Sequence, residues 1–409
     1  MKLDDMPAFG SSTAAPSPPT RPARVLFALL ERLKVGKLDL IAPDGAARTF
    51  ASGFDGPHAM IRLKDWKVCE DVMRSGDIGF AESFMMGRWH TPDLAELLTL
   101  VASNRSALDR AIYGRWWGGL AYRLRHVRRG NRRAQARRNV QAHYDLGNDF
   151  YALWLDETLT YSSGIFSGHK GMSLEMAQAA KYERICETLG LKAGDRVLEI
   201  GCGWGGFAEH AAFTRRCSVH GVTLSGEQLS YAVNRIRQRD LSDLVTFELR
   251  DYRDVQGEYD YIVSIEMFEA VGERYWPTYF RMLRDRLARG GRALIQTIII
   301  ADDLYARYRH GTDFIQQYVF PGGMLPSEEV FRDVAYRQGL VIGRPFTFRI
   351  DYAETLKRWR HRFNRRVGEL NAMGFDDRFM RLWNFYLAYC EAGFRTRNID
   401  VMQIELKRV

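Results

Sequence analysis

A run of glycines follows a short apolar segment in the middle of the chain. The segment Arg196–Ile200 is followed by Gly201, Gly203 and Gly205, and a helix-like stretch comes next. Glycines at the carboxyl end of a strand let the backbone turn tightly and approach a ligand closely. The next strand ends in Thr223, with no Asp or Glu to hold a ribose diol as in dinucleotide-binding domains. The loop predicts a ligand site unlike an NAD site, with a glycine turn of a generic α/β domain as the alternative.

A parallel sheet is needed to hold such a loop. Short apolar segments alternate with helix-like stretches from residue 140 onward, which indicates βαβ units. The fold class predicted is therefore α/β, with a doubly wound, Rossmann-like sheet. Its predicted strands are Arg196–Ile200, Ser218–Thr223, Val245–Glu248, Tyr259–Ile265 and Arg292–Ile300.

A smaller α+β domain is predicted ahead of this sheet, over residues 23–108. Val25–Leu33 and Leu94–Val101 have the apolar spacing of helices, whereas Lys37–Ile41 and Ala59–Leu63 alternate like short strands. Residues 1–22, rich in Pro, Ser, Thr and Ala, are expected to be disordered. Residues 109–139 are interpreted as a basic linker, and residues 140–409 as a second domain.

Composition narrows the class of protein. The 409 residues carry 59 Lys and Arg against 50 Asp and Glu, a formal charge of +9 that favours an anionic partner. Hydrophobic residues make up 46%, which excludes a disordered or fibrous protein, and the 12% of aromatic residues suit an apolar ligand. The 5 cysteines are scattered without a CxxC pair, so we predict no disulfide framework and no metal site, and a reducing cytoplasm fits best.

Seven motifs in register make the resemblance specific. In this order they resemble the cyclopropane-fatty-acyl-phospholipid synthase family, which includes the mycolic acid cyclopropane synthases, clearly from about residue 140 onward and more weakly before it. The motifs are His143–Tyr151 with Tyr161–Ser163, Gly201–Gly206, Gly221–Gln228, Met267–Gly272, Phe320–Gly323, Leu325–Ser327 and Tyr389–Glu391.

The resemblance implies that residues 140–409 form a catalytic domain with a methyltransferase sheet and helical lid insertions. It also implies S-adenosylmethionine as the cofactor. The matching positions are Tyr161 and Ser162 at the cofactor's border, Glu199 with Gly201, Gly203 and Gly205 beneath its methionine part, Thr223 and Gln228 at the ribose, and Asp251, Tyr252 and Arg253 around the adenine. Each position has a plainer interpretation: Thr223 as a strand end, for example, or Tyr252 as a core residue.

The resemblance also implies a catalytic cluster. Glu269 matches the family's acidic residue, Tyr352 a tyrosine of the same cluster, and Cys390 a cysteine near the substrate. The alternative for Glu269 is an acid at a helix start. We expect Cys390 to line the pocket without a covalent role, because a lone cysteine is more often a small core residue.

Three positions depart from the family pattern. Members that make cyclopropanes hold a bicarbonate ion as base, partly through a cysteine and a histidine, where this chain has Ser163 and Gln296; Ala270 replaces a further histidine. Gln cannot supply positive charge, so bicarbonate is in doubt as a cofactor, and Glu269 or a water that it orients becomes a candidate base.

The implied reaction transfers a methyl(ene) group from S-adenosylmethionine to the cis double bond of unsaturated acyl chains in membrane phospholipids. Proton loss from the new methyl group closes a cyclopropane, whereas loss elsewhere leaves a branched alkene. A methyl- or methylene-branched acyl chain is therefore the alternative product. Two alternatives of other classes remain: a small-molecule or RNA methyltransferase, and a lipid-binding protein without catalysis.

Basic stretches suggest how the substrate is reached. Residues 110–144 contain no acid but many arginines, preceded by Trp116 and Trp117, and residues 357–366 form a second basic run. We rank docking on an anionic bilayer first, a solvated connector second and nucleic acid last. No apolar run is long enough to span a bilayer and no signal peptide is visible, so a cytoplasmic protein on the inner membrane face is expected, with a homodimer left open.

Overall fold

The computed structural model describes residues 19–108, 146–169 and 171–408. The predicted basic linker, the first part of the His143–Tyr151 motif and most of the expected disordered N-terminus lie outside these ranges. The first helix, α1, begins at Arg21, so the prediction of disorder through residue 22 is wrong for its last two residues. Thr20 caps this helix through its side chain and a proline occupies its first turn, a common combination at a helix start.

A four-stranded sheet and three helices form the N-terminal unit, defined here as residues 21–108. Its strands run in the order β2-β1-β3-β4, with β1 parallel to β3 and antiparallel to β2, so the α+β prediction matches this architecture. Leu38 and Leu40 point from β1 into the core, as the alternation predicted. The elements are α1 (Arg21–Leu30), β1 (Lys37–Ile41), β2 (Ala47–Ala51), β3 (His58–Leu63), α2 (Lys67–Met85), β4 (Trp89–His90) and α3 (Leu94–Ser103).

Two helices, α4 (Asn148–Trp154) and α5 (Leu174–Leu189), lead into the second sheet. Strands β5 to β9 of that sheet are mutually parallel in the order β7-β6-β5-β8-β9, and β12 adds antiparallel to β9. The doubly wound α/β class is therefore confirmed. The strands are β5 (Arg196–Ile200), β6 (Ser218–Thr223), β7 (Val245–Leu249), β8 (Tyr259–Ile265), β9 (Leu287–Ile300), β10 (Leu340–Ile342), β11 (Phe346–Thr347) and β12 (Ile399–Arg408).

Helices surround this sheet and join it to the N-terminal unit. Helices α12 and α14 pack on each other, and α14 also packs on α2 and α3, so one hydrophobic core runs through both units. Phe385 of α14, for example, lies 5.9 Å from the Phe84 ring of α2. The helices are α6 (Gly206–Arg215), α7 (Gly226–Gln238), α8 (Trp276–Arg286), α9 (Asp302–His310), α10 (Phe314–Tyr318), α11 (Glu328–Arg337), α12 (Arg349–Arg365), α13 (Val367–Ala372) and α14 (Asp377–Arg395).

Candidate functional site

The sheet's strand order reverses beside β5, and the glycine loop lies at this switch point. Gly201, Gly203 and Gly205 all have positive φ (80°, 53° and 82°), which favours glycine. A Cβ on Gly201 would lie 2.8 Å from Met267, so a side chain has no room there. Gly201 and Gly203 line a large cavity. Gly205 does not line it, because a Cβ there would face Ala232 of α7.

A buried acid with one unsatisfied oxygen sits just before this loop. Glu199 is 3% exposed, lines the cavity, and its Oε2 has no hydrogen-bond partner within the described residues. Burial raises the pKa of this carboxyl to about 8, against the opposing charge of Lys181. An unsatisfied carboxyl oxygen beside a glycine cradle fits a ligand that brings an ammonium group, as S-adenosylmethionine does.

The ends of β6 and β7 carry the residues predicted at the ribose and adenine, and all of them line the same cavity. Thr223 Oγ1 donates to Gln228 Oε1 at 3.0 Å, so this pair fixes the Gln228 amide at the cavity wall. Asp251 is held in a two-point ion pair by Arg253, with Nε–Oδ1 and Nη2–Oδ2 distances of 2.8 and 2.5 Å. Tyr252 packs edge-on against a buried tyrosine of α8.

Tyr161 and Ser162 lie at the opposite wall, where a buried lysine joins them. Lys181 of α5 is fully buried and donates to Ser162 Oγ at 2.5 Å. Burial lowers the pKa of this lysine to about 7, against the charge of Glu266. The Tyr161 hydroxyl lies 2.7 Å from the Tyr386 hydroxyl, so two aromatic rings from distant parts of the chain meet at the cavity.

Three of the predicted catalytic residues converge on a carboxylate that sequence reasoning missed. Glu266 Oε1 accepts from the Ser163 backbone N–H at 2.9 Å and from Gln296 Nε2 at 2.7 Å, and its Oε2 accepts from the Tyr352 hydroxyl at 2.5 Å. Gln296 is itself oriented by Gln403, which donates to its Oε1 at 2.9 Å. The polar groups expected around a bicarbonate ion are thus occupied by the chain's own carboxylate, and they do not fit an added ion.

The backbone of Glu266 is strained. Its φ is 50°, in the left-handed region that costs a non-glycine residue about 1–3 kcal/mol. Burial raises the pKa of Glu266, whereas the Tyr352 hydrogen bond, the charge of Lys181 and the Ser163 N–H favour the ionised form. Strain kept at a buried, cavity-lining acid is the pattern expected of a working group.

Glu269 lies one short turn beyond and has different partners. Its Oε1 accepts from Thr297 Oγ1 at 3.0 Å and from the Ile298 backbone N–H at 2.5 Å, and its Oε2 is unsatisfied within the described residues. Burial and the neighbouring Glu266 raise the pKa of Glu269 to about 8, so it is mostly neutral at pH 7. Gln296 and Tyr352, grouped with Glu269 by the sequence analysis, bond Glu266 instead.

Cys390 lines the cavity on α14, as expected. Burial raises the pKa of its thiol, which keeps the sulfur protonated and a poor nucleophile. Ser163 and Gln296 are fully buried and do not line the cavity; they reach it only through Glu266.

Sequence reasoning missed Glu266, Lys181 and Tyr386. The signal for Glu266 was present, since two acids three residues apart end strand β8 in Ser-Ile-Glu-Met-Phe-Glu. Lys181 looked like a surface residue of an ordinary helix, because nothing local indicates that it is buried.

Three cations of the second basic run form ion pairs within the chain. Arg360 pairs with the fully buried Glu391, Arg358 with Glu354, and Arg362 with Glu175. Trp359 is fully buried and so is not an interfacial side chain, whereas Lys357 and Arg365 are exposed. Docking on a bilayer through this run stays a prediction, and the first basic run lies outside the described residues. Across the described ranges, no helix combines the length and the hydrophobicity that crossing a bilayer requires.

One cavity of about 830 Å³ is lined by most of these features, whereas Gly205, Ser163, Lys181 and Gln296 lie behind its wall. The glycine loop, the acids Glu199, Glu266 and Glu269, and the aromatic rings of Tyr161 and Tyr386 share it. The volume lies toward the upper end of the roughly 300–1,000 Å³ of ligand pockets, and its lining is mainly apolar. A fold with this strand order and this loop defines a methyltransferase of the kind that uses S-adenosylmethionine.

Comparisons with known proteins agree with that class. Residues 131–404 match the family model for mycolic acid cyclopropane synthetase. The chain is 40% identical to the tuberculostearic acid methyltransferase of Mycobacterium tuberculosis, over 91% of this chain and 88% of that protein. It is 36% identical to the cyclopropane-fatty-acyl-phospholipid synthase of Escherichia coli, over 86% and 88% of the two chains.

Solved structures support the same assignment. A cyclopropane synthase from Mycobacterium tuberculosis has a TM-score of 0.63 at 30% identity, covering 66% of this chain and 98% of its own. A mycolic acid cyclopropane synthase complexed with SAH and CTAB has the same TM-score and coverage at 31% identity. The chain belongs to the mycolic acid cyclopropane synthetase family and is an S-adenosylmethionine-dependent C-methyltransferase that acts in lipid chemistry.

Proposed function

We propose that the protein methylates the cis double bond of an unsaturated acyl chain in a membrane phospholipid, with Glu266 as a built-in base. The observation that carries the proposal is the convergence of Ser163, Gln296 and Tyr352 on the Glu266 carboxylate, in a cavity shared with the glycine loop. That arrangement supplies a fixed negative charge beside an apolar chamber large enough for a cofactor and a hydrocarbon chain.

S-adenosylmethionine, when bound, would supply an electrophilic methyl group, and its sulfur would keep the electron pair of the broken S–C bond. The cofactor's amino group would be held by Glu199, its ribose by Gln228, and its adenine near Tyr252, all of which line the cavity. The glycine loop lets the backbone lie against the methionine part. These residues would hold the cofactor in one orientation, which matters because an alkene is a weak nucleophile and needs close alignment.

Methyl addition to one alkene carbon makes the other alkene carbon cationic. The rings of Tyr161, Tyr352 and Tyr386 present π faces or edges to the cavity, and a cation is stabilised over an aromatic face. The apolar walls exclude the water that would capture the cation. Glu266 in its ionised form, which the Tyr352 and Gln296 donors favour, would add fixed negative charge in a medium of low dielectric constant.

Glu266 then accepts the proton that the cation must lose. The proton moves to the carboxylate, and the C–H electron pair forms the new bond of the product, so no external base is needed. For a methylene branch, the hydrogen on the methylated carbon first shifts with its electron pair to the cationic carbon, and the proton then leaves from the methyl group. Ser163, Gln296 and Tyr352 hold the carboxylate in place during the transfer. Bicarbonate has no part in this scheme, since its expected donors already serve Glu266.

The proposed product is a methylene-branched acyl chain, or a methyl-branched acyl chain that keeps one double bond. This product is supported by the Glu266 carboxylate, which occupies the donors expected to hold bicarbonate. It is also supported by 40% identity to a relative named as a tuberculostearic acid methyltransferase. A cyclopropane is the second candidate, favoured by the 36% identity to the synthase of Escherichia coli. For either product we also propose peripheral association with the cytoplasmic membrane surface. A phospholipid substrate lies in a bilayer, and the chain carries a net charge of +9.

Product analysis tests this function. Purified protein is incubated with methyl-labelled S-adenosylmethionine and vesicles of unsaturated phospholipid, with saturated vesicles as the matched control. Label should enter only the unsaturated chains, with branched-methyl or vinylic protons in the NMR spectrum. Upfield cyclopropyl protons would favour the second candidate. Absence of label from lipid would contradict the proposal and favour a small-molecule or RNA substrate.

A further inference from the structure

The catalytic cavity does not end at the catalytic centre. It continues into the N-terminal unit, where its wall is made mainly by aliphatic side chains from two strands and three helices, with Ser75, Asp77 and Arg105 as its polar members. On the strands, the inward-facing positions of β1 and β3 provide this wall. The lining residues there include Leu38, Leu40, Ile61, Leu63, Val72 and Leu98.

The passage between the two units is built by a break in helix α2. Gly76 has φ 61° and ψ −132°, which interrupts the helix, and Gly76, Asp77 and Ile78 all line the cavity. Asp77 Oδ2 accepts from the Tyr389 hydroxyl at 2.9 Å and from the Phe314 backbone N–H at 3.3 Å. One side chain thus holds α14 and α10 against the N-terminal unit at the point where the cavity passes between them.

The apolar lining of the cavity in the N-terminal unit favours a hydrocarbon ligand there. A headgroup or ester buried among aliphatic side chains would lose its hydrogen bonds to water at a cost of several kcal/mol. A hydrocarbon segment gains from the same burial. The double bond must lie at the catalytic centre, so the segment beyond it has to occupy space that is continuous with that centre.

We propose that the hollow interior of the N-terminal unit receives the methyl-terminal segment of the substrate's acyl chain. The unit then selects chains by the length between the double bond and the chain end. This inference rests on the proposed function for the identity of the substrate. It adds that the N-terminal unit limits the length of the acyl chain beyond the double bond.

A cross-linking experiment on the wild-type protein tests the location directly. A fatty acid with a diazirine at its methyl end is bound, photolysed, and mapped by mass spectrometry of peptides. Adducts should fall on α2, α3 or β3 of the N-terminal unit. Adducts confined to residues 146–408 would overturn the proposal. Because no turnover is required, this result does not depend on whether lipid is methylated.

A matched pair of variants tests the selection. Leu98 lines the cavity and Leu94, on the same helix, is buried but does not line it, so Leu98→Phe and Leu94→Phe add the same volume in different places. The substrates are phosphatidylcholines of oleate, palmitoleate and myristoleate, which differ only beyond the double bond. Leu98→Phe should lower kcat/KM for oleate relative to myristoleate at least tenfold, the scale of discrimination in a hydrophobic pocket.

Failure of this inference and failure of the proposed function give different experimental results. Leu94→Phe should keep the wild-type ratio between the three substrates, and Val101→Phe serves as a second filling variant if Leu98→Phe does not fold. Unchanged ratios in the filling variants would overturn the inference. A wild-type protein that labels none of the three lipids would instead contradict the proposed function, and the cross-linking result would still place the chain end.

Discussion

The Tyr352 hydroxyl donates a hydrogen bond to Glu266 Oε2 across 2.5 Å, although the two residues are separated by 86 positions in the chain. Tyr352 belongs to the helical layer and Glu266 to the end of strand β8. Together with Gln296 and the Ser163 N–H, this contact makes a nest for a carboxylate that is covalently part of the protein. A base that is tethered costs no binding entropy and cannot be lost by dilution.

Glu266→Gln should reduce kcat by about 100-fold or more, because the carboxamide keeps the shape but accepts no proton. Binding of S-adenosylmethionine should change little, since Glu266 acts after the methyl has been delivered. The measurement is single-turnover transfer of label to lipid, with cofactor affinity from calorimetry. Loss of cofactor binding with normal turnover of bound complex would contradict the assignment.

Glu266→Gly should accept rescue by small anions. Glycine tolerates the φ of 50° and leaves the three donors facing a space the size of a carboxylate. Formate or bicarbonate in the buffer should restore activity in proportion to its concentration. Glu266→Gln is the control, because its carboxamide fills the space of the carboxylate and leaves no room for an anion. A Glu266→Gly variant that formate rescues no better than Glu266→Gln would count against an anion site.

Glu269 should make stability depend on pH. Its pKa is raised to about 8, above the ordinary value of 4.5, so the folded state holds a proton that the unfolded state releases between these values. Stability is therefore greatest below about pH 4.5 for this group and is lost as pH rises to about 8, by roughly 1 kcal/mol per pH unit. Glu269→Gln should flatten that slope.

Urea unfolding between about pH 5 and pH 8 measures this slope. Glu227→Gln, at an exposed carboxylate on α7, is the control and should leave the wild-type slope unchanged. A Glu269→Gln variant with the full wild-type slope would show that Glu269 is ionised in the folded protein.

Cys390→Ala should keep kcat within about threefold of wild type. The thiol is protonated because burial raises its pKa, and a neutral thiol gives no covalent catalysis. Steady-state kinetics measure kcat, and resistance of the wild-type protein to iodoacetamide shows that the thiol is protonated and unreactive. Abolished activity with normal folding would assign Cys390 a chemical role.

The parts of the fold that depend on local pattern could be predicted. The alternation at Lys37–Ile41 and the apolar runs at Arg196–Ile200, Ser218–Thr223 and Tyr259–Ile265 coincide with strands of the same bounds. Strand β12 was not predicted, because its place beside β9 depends on a long-range pairing with no local signal. Helix α2 was missed for a similar reason, since Gly76 breaks its pattern.

The candidate site, like the fold, could be predicted from the sequence only in part. The glycine loop could be identified because tight turns require glycine, and the catalytic positions followed from the motif resemblance. Which acid receives Gln296 and Tyr352 could not be inferred, since Glu266 and Glu269 lie three residues apart and only the backbone turn between them decides. The continuation of the cavity into the N-terminal unit depends on packing between distant helices.

The dependence of lipid methylation on bicarbonate tests the central claim most directly. The wild-type rate is measured with unsaturated vesicles in buffer freed of carbon dioxide, and again with bicarbonate added back. If Glu266 is the base, the two rates are equal, and Glu266→Gln is slow in both. A wild-type rate that collapses without bicarbonate and returns with it would contradict the account.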